Sequence, residues 1–388
     1  MQRVAQDWLV LNLTHGSGTA LGIATGLQFL PLLLFSLWGG AVVDRYPKRR
    51  IFMITQAVAG GLALILGVLA MTGTVRIWHV YALAFALGLI TVIDNPTRQT
   101  FAVEMVGPAD MPNAIALNSA IFNLARIVGP AVAGLVISVV STPAAFMVNA
   151  ASYGAVLISL KLMRPAELRP IEPARRAKGQ VREALAYVKA RPNLWMLMVL
   201  VFFVATFGMN FQVTTALMSR EVFHTGASAF GLASTVFAAG ALAGALLAAR
   251  RRRPGIRLLL VIAPVFGMLE IATGLMPSFW SFLVLLVPTG LALLTFSTAA
   301  NSATQLNTAP EMRGRVMGLY LLVFLGGAPL GSPLVGWLAE QFGVRMSLIA
   351  GGAISAAAAL VVAAMFARSR GVRVRDHLRP AELLRIAA

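Results

Sequence analysis

Ionisable and amide side chains stand inside long apolar runs of this 388-residue chain, where each is costly to keep. Arg126 lies in the middle of one run, with Asn123 and Asn118 about one and two turns before it on the same helical face. Arg3 and Asp7 share a face of another run, and Asp94 and Arg98 share a face of a third, each by i, i+4 spacing. Glu270 is alone between Gly267 and Gly274, and Asn210 and Gln212 interrupt a fifth run. Such residues suit two tasks. They can line a water-filled cavity that holds a polar solute, or a carboxyl among them can take up and release a proton. Arg126 keeps its charge at any workable pH, so it positions a carboxylate (Asp7 or Asp94) or an anionic solute and carries no proton itself. Glu270 is a candidate for proton coupling. The plainer alternative for Asp94 and Arg98 is a buried pair that neutralises itself within one helix.

Other chemistries are disfavoured. There is no Walker-type phosphate loop, so ATP is not expected as the energy source. His15, His79, His224 and His377 are scattered without metal-ligand spacing, and the chain has no cysteine. Neither an enzyme activity nor a cofactor or metal is expected. The net charge of +18 raises nucleic acid as a partner, but the basic residues cluster in short loops between apolar runs and form no single soluble face.

The positioning elements follow from composition. At 58% hydrophobic and 12% charged residues, with mean hydropathy +0.80, the chain cannot cover itself with an aqueous surface. Helices satisfy their own backbone in lipid, so the runs are membrane-spanning helices and the bilayer is a partner. Twelve are expected, over 1–13, 20–43, 51–72, 78–103, 112–140, 143–163, 194–218, 226–249, 257–276, 279–302, 316–340 and 345–367. The domains are a bundle over 1–163, a linker over 164–192 with an amphipathic piece at Val181–Ala190, a bundle over 193–367, and a basic tail over 368–388. The first span has 13 residues. At about 1.5 Å per residue that is short of a hydrocarbon core of roughly 30 Å. Helix 1 is therefore expected to be truncated at its start, the alternative being a half-helix. No cleavable signal peptide is legible. Lys and Arg concentrate in alternate loops: Arg45 to Arg50, the linker, Arg250 to Arg257, Arg313 and Arg315, and the tail. Those loops and both termini are expected in the cytoplasm, the linker included.

The halves echo each other. Asn95-x-x-x-Gln99 matches Asn301-x-x-x-Gln305, and Gly129-x4-Gly134 matches Gly331-x4-Gly336. Same order and same orientation imply a parallel repeat about an axis along the membrane normal. Chance similarity between glycine-rich helices is the alternative. Between spans 2 and 3 runs Gly40-Ala-Val-Val-Asp44-Arg45-Tyr-Pro47-Lys48-Arg49-Arg50. Gly40 admits a close helix, Asp44 suits a helix amino terminus, and the cations suit a carboxylate at the next helix end, with Glu104 a candidate. Made in one state and broken in another, these contacts form a gate latch. A plain positive-inside loop explains Lys48 to Arg50 but not Gly40 with Asp44.

Here the chain resembles the major facilitator superfamily, whose loop signature is Gly-x-x-x-Asp-Arg-x-Gly-Arg/Lys-Arg/Lys, with Pro47 in place of the usual glycine. Arg126, Gly129, Pro130 and Gly134 resemble its antiporter motif, with alanine at two glycine positions. Gln2 to Val10, Asp94 to Gln99 and Met312 to Gly318 are similar to the enterobactin-exporter-like subgroup, in which helix 1 begins before the position of Met1. The resemblance implies two six-helix bundles around a central cavity lined by candidates among Asp7, Asp94, Asn118, Asn123, Asn210 and Glu270. It also implies export of a small amphiphilic siderophore- or drug-like molecule, driven by protons, across a bacterial inner membrane, by a monomer. A non-transporting sensor or scaffold on the same fold, and an uptake or lipid-flipping permease, are the alternatives.

Overall fold

The computed structural model of the protein describes residues 1–106, 110–164, 168, 180–249 and 256–369. Most of the expected linker, the arginine run that begins at Arg250 and the tail beyond 369 lie outside the described residues. Among the described residues there is no β-strand. The first half contains α1 (Gln2–Leu13), α2 (Gly18–Arg45), α3 (Lys48–Met71), α4 (Ile77–Val106), α5 (Met111–Val139) and α6 (Thr142–Leu162). The amphipathic α7 (Gln180–Lys189) connects to α8 (Pro192–Phe203) and α9 (Phe211–Leu217), and the second half continues through α10 (Ala227–Ala249), α11 (Ile256–Gly274), α12 (Phe279–Leu306), α13 (Arg313–Phe342) and α14 (Val344–Ser369). Among the described residues ten helical stretches are long and apolar enough to cross a membrane, one of them running from Pro192 to Val222 through both α8 and α9. The shorter α11 and α1 occupy the two remaining places in the expected order.

Local chemistry sets the helix starts. Ser17 and Ser141 cap α2 and α6, each accepting from a backbone N–H three residues on, and Ser278 and Ser281 form a reciprocal cap on α12. Pro lies in the first turn of α5, α6 and α8, where its missing N–H costs nothing. The span from Pro192 to Val222 is less regular than its hydropathy suggests. Two π-helical turns, Val204–Gly208 and Met218–Val222, flank α9, and Asn210 lies between the first turn and α9. The sequence predicts one continuous span over 194–218 there.

The two halves repeat the same packing. α2 packs on α4, and α3 on both α4 and α6; correspondingly α10 packs on α12, and α11 on both α12 and α14. Between the halves α2 lies against α13, and α5 against α10. A further trace of duplication appears in the loops before α2 and α10. His15 and His224 are the positive-φ non-glycine residues among those described, at 52° and 51°. His15 precedes Gly22 by seven residues, as His224 precedes Gly231.

The halves are joined toward one end. A methyl group on Gly134 of α5 would lie 2.7 Å from the Ala227 carbonyl oxygen of α10, and one on Gly18 of α2 would lie 2.6 Å from the Gly336 carbonyl oxygen of α13. Small residues let these backbones touch. Toward the other end, where α2 runs into the basic loop, α5 stands free. Its residues 119–122 and 124–126 are exposed, except that Asn123 between them is half-buried. At about 100° per residue such a run covers most of the helix circumference, whereas a helix facing lipid on one side exposes a single stripe. A cleft between the bundles therefore opens at the arginine-rich end and closes at the opposite end.

Candidate functional site

Polar contacts reinforce the closed end. Asp7 on α1 is buried, and its Oδ2 accepts from Gln212 Nε2 of α9 at 2.7 Å. Beyond it, Arg220 donates to Asn12 and lies 3.3 Å from Glu221. The Trp8 ring stacks on Phe230 with centroids 6.3 Å apart. At the start of α2, the carboxylate of Glu340 from α13 accepts from Ser17 Oγ at 2.8 Å and from the Thr19 N–H at 3.0 Å. A helix amino terminus favours negative charge, so Glu340 completes a cap that Ser17 begins. Thr235 of α10 donates to the Ile127 carbonyl of α5 at 2.9 Å.

The antiporter-like residues divide between this seam and the cleft. The Pro130 carbonyl oxygen would lie 2.5 Å from a methyl group on Gly231, and Gly134 touches α10 directly. Gly129 faces the start of the chain, where a methyl group would meet the Met1 nitrogen at 3.5 Å. Arg126, one turn earlier, is exposed where α5 stands free, and Asn123 beside it donates to the Ser119 carbonyl of its own helix at 2.8 Å. Asn118 is half-buried. It joins Arg98, Phe52, Phe101, Ser159 and Met163 around a side groove of about 300 Å³ within the first bundle.

The i, i+4 pairing offered for Asp94 and Arg98 does not form. Asp94 Oδ1 accepts from Thr55 Oγ1 and Gln56 Nε2, both at 2.7 Å, so α3 satisfies it. The Arg98 guanidinium lies 5.3 Å from the centre of the Phe122 ring. Arg3 similarly lies 4.8 Å from the centre of the Phe29 ring.

In the basic loop, Lys48 Nζ lies 4.0 Å from the carboxylate of the buried Glu104. Arg49 donates to the Leu160 and Lys161 carbonyls at 2.8 and 3.2 Å, closing the last turn of α6. Arg45 is exposed. Gly40 and Asp44 lie in the last turns of α2, and their side chains are outside the described set. The partners of Lys48 and Arg49 thus belong to their own bundle.

Two cavity candidates from the second half need correction. Asn210 is buried; it donates to the Thr206 carbonyl at 2.7 Å and accepts from Ser332 Oγ at 2.9 Å, so it braces the π-helical break against α13. Glu270 is also buried, with 2% of its surface exposed, and does not line the cleft. A polar residue in an apolar run has the same sequence signature whether it faces water or a partner helix. Sequence reasoning also missed Glu340 and Arg220. Ser17 before a small-residue run was a readable helix cap, but its partner lies 323 residues away.

Known proteins share the family and the fold. The family described as transmembrane secretion effector matches residues 1–381. The staphyloferrin A transporter of Staphylococcus aureus is 25% identical over 350 residues, covering 88% of this chain and 86% of the relative. Macrolide efflux protein A of Streptococcus pyogenes is 23% identical, covering 92% and 90%. The multidrug efflux pump Tap of Mycobacterium tuberculosis is 28% identical, covering 89% and 85%. Among solved structures, a bacterial homologue of the human lysosomal transporter Spinster, in an inward-facing and unoccupied conformation, superposes with a TM-score of 0.73 at 17% identity, covering 95% of each chain. The nucleoside transporter NupG superposes at 0.67 with 15% identity, covering 94% of this chain and 96% of that one. With a family match over nearly its whole length and an all-helical duplicated fold with ten spanning stretches among the described residues, this chain is a multi-pass membrane protein of the transmembrane secretion effector family, within the major facilitator transporters.

Proposed function

We propose that this protein exports a small amphiphilic organic molecule across a bacterial cytoplasmic membrane by alternating access, driven by the proton gradient. The observation that carries the reading is the one-ended junction between the bundles: glycine-lined seams at one end, and a free α5 bearing Arg126 at the other. The Lys and Arg bias supports an open end in the cytoplasm, and with it both termini, the linker and the basic loop. In that orientation the cleft receives solute from the cell interior. Closing it while parting the α2–α13 and α5–α10 seams delivers the solute outside. The bundles over 1–163 and 193–367 act as the two moving bodies, joined by the 164–192 linker, in a monomer. Arg126, with Asn123 beside it, contributes to solute binding. Gly40, Asp44, Arg45, Lys48, Arg49 and Glu104 bias the two states.

The efflux named for two of the relatives supports direction, and the staphyloferrin A and macrolide named for two of them support substrate class. The test uses inverted membrane vesicles and a panel of dyes, a macrolide and a siderophore. Accumulation of at least one compound that collapses with an uncoupler is expected. Accumulation only in right-side-out vesicles would make the protein an uptake system, and accumulation in neither would favour a sensor or scaffold.

A further inference from the structure

Glu270 belongs neither to the seam nor to the cleft, yet its surroundings are built around its carboxyl. It faces the π-helical turn Val204–Gly208 on one side and α14 on the other. A methyl group on Gly351 would lie 2.9 Å from Glu270 Oε1 and 2.7 Å from the Phe207 carbonyl oxygen. A methyl group on Gly208 would lie 3.2 Å from Glu270 Oε2 and 2.8 Å from Ser355 Oγ. Two missing side chains therefore make one pocket that holds both carboxyl oxygens, a hydroxyl and a backbone carbonyl. Glu270 Oε2, Ser355 Oγ and Thr206 Oγ1 are buried without a hydrogen-bond partner. Ser355 and Thr206 are as deeply enclosed as Glu270, at 0% and 2% exposed.

Among the described residues no cation reaches this pocket from the packed elements. α12 and the π-helical turn carry no titratable residue. On α14, the Arg345 guanidinium is held by the Gly274 and Met276 carbonyls at 3.0 and 2.6 Å. Arg368 lies 13 residues beyond Ser355, and Arg257 lies 13 residues before Glu270 on α11. At about 1.5 Å per residue each is roughly 20 Å away along its helix.

We infer that Glu270, with Ser355 and the Phe207 carbonyl, is a proton-binding site, and that its carboxyl carries a proton in this conformation. An ionised carboxylate here, on a residue 2% exposed, would have no counter-charge among the described residues. The neutral acid needs one acceptor for its O–H, and Ser355 Oγ and the Phe207 carbonyl both stand beside the pocket. Place gives the proton a consequence. The π-helical turn precedes Asn210, whose side chain ties the Thr206 carbonyl to Ser332 of α13, and α13 forms the seam with α2. Losing the proton leaves a charge that draws in water and loosens the turn, which transmits the change to α13. This step deepens the proton-driven reading above and rests on it, whereas proton occupancy of the pocket is testable by itself.

The test treats the full chain in liposomes with dicyclohexylcarbodiimide. The reagent adds to a protonated carboxyl in an apolar setting. The acid proton passes to a carbodiimide nitrogen, the carboxyl oxygen bonds the central carbon, and acyl migration leaves a stable N-acylurea with nothing released. Peptide mass spectrometry is expected to place the adduct on Glu270, with labelling lost as the pH is raised and reduced by G351A, which displaces the carboxyl. The infrared carbonyl band of a protonated carboxyl, lost in E270Q, reads the same proton without the reagent. An unlabelled Glu270 with no band difference in E270Q, or labelling indifferent to pH, would overturn the inference. A parallel arm follows ethidium accumulation in inverted vesicles, where E270Q is expected to lose dependence on the pH gradient and to keep gradient-free exchange. Wild-type protein that ignores the gradient while Glu270 labels would sink the proton-driven reading and leave the site standing. E270Q that keeps full gradient dependence would end its role in coupling.

Discussion

The two ends of the molecule are held by different means. At the closed end, α2 meets α13 and α5 meets α10 backbone to backbone, and Asp7, Asn12 and Glu340 find polar partners in the opposite half. At the open end, the described ion pair of the α2–α3 region, Lys48 with Glu104, stays within one half. One end therefore spends its polar groups on joining the bundles, and the other on stabilising a single bundle. The joining contacts are weak enough to part. A carboxylate at a helix amino terminus, as Glu340 is at the start of α2, contributes about 0.3–1 kcal/mol, and a shift of a few kcal/mol inverts a two-state population.

The contrast can be broken most severely at a backbone contact. Gly134→Leu places a bulky side chain where a methyl group would already lie 2.7 Å from a carbonyl oxygen, so the closed end should fail to form. Transport is expected to vanish, with cysteines introduced beside the seam becoming open to an impermeant thiol reagent. Normal transport would mean that the seam is incidental. Next comes Arg126→Ala, expected to abolish efflux at matched membrane abundance while Arg126→Lys keeps part of it. Unimpaired efflux in the alanine variant would remove Arg126 from the mechanism. Asp44→Asn addresses the opposite end. It should leave insertion intact and shift the balance of states by about 1.4 kcal/mol, or roughly tenfold, read from the same thiol accessibility. An unchanged balance would reduce the loop to a topology signal. Glu340→Gln is the mildest change. It keeps the shape of the α2 cap and removes its charge, and a loss near 0.3–1 kcal/mol should raise accessibility at the closed end by a few-fold at most.

Much of the architecture was readable because a span is a property of one segment. The ten spanning stretches among the described residues and the Gly129 and Gly331 repeats all lie within short stretches of chain. The span from Pro192 to Val222 shows where this ends. Its hydropathy is that of an unbroken helix, while two π-helical turns interrupt it and Asn210 between them is held by Ser332 of α13. The polar site was legible only as a set of costly residues. Arg126 opens on the cleft, but Asp94 turns to Thr55 and Gln56, and Asn210 and Glu270 are enclosed. Which face a polar residue presents depends on partners far away in sequence, and one chain carries no record of them.

Alternation between ends is the central claim, and freezing the closed end tests it most directly. The chain has no cysteine, so Ser17→Cys with Glu340→Cys introduces the sole reactive pair, at positions whose side chains now touch at 2.8 Å. Joining the pair with a short, reducible bifunctional thiosulfonate should stop gradient-driven accumulation of ethidium and erythromycin in inverted vesicles, and reduction should restore it. Undiminished accumulation with the link in place would show that the seam never opens during transport and would contradict the account.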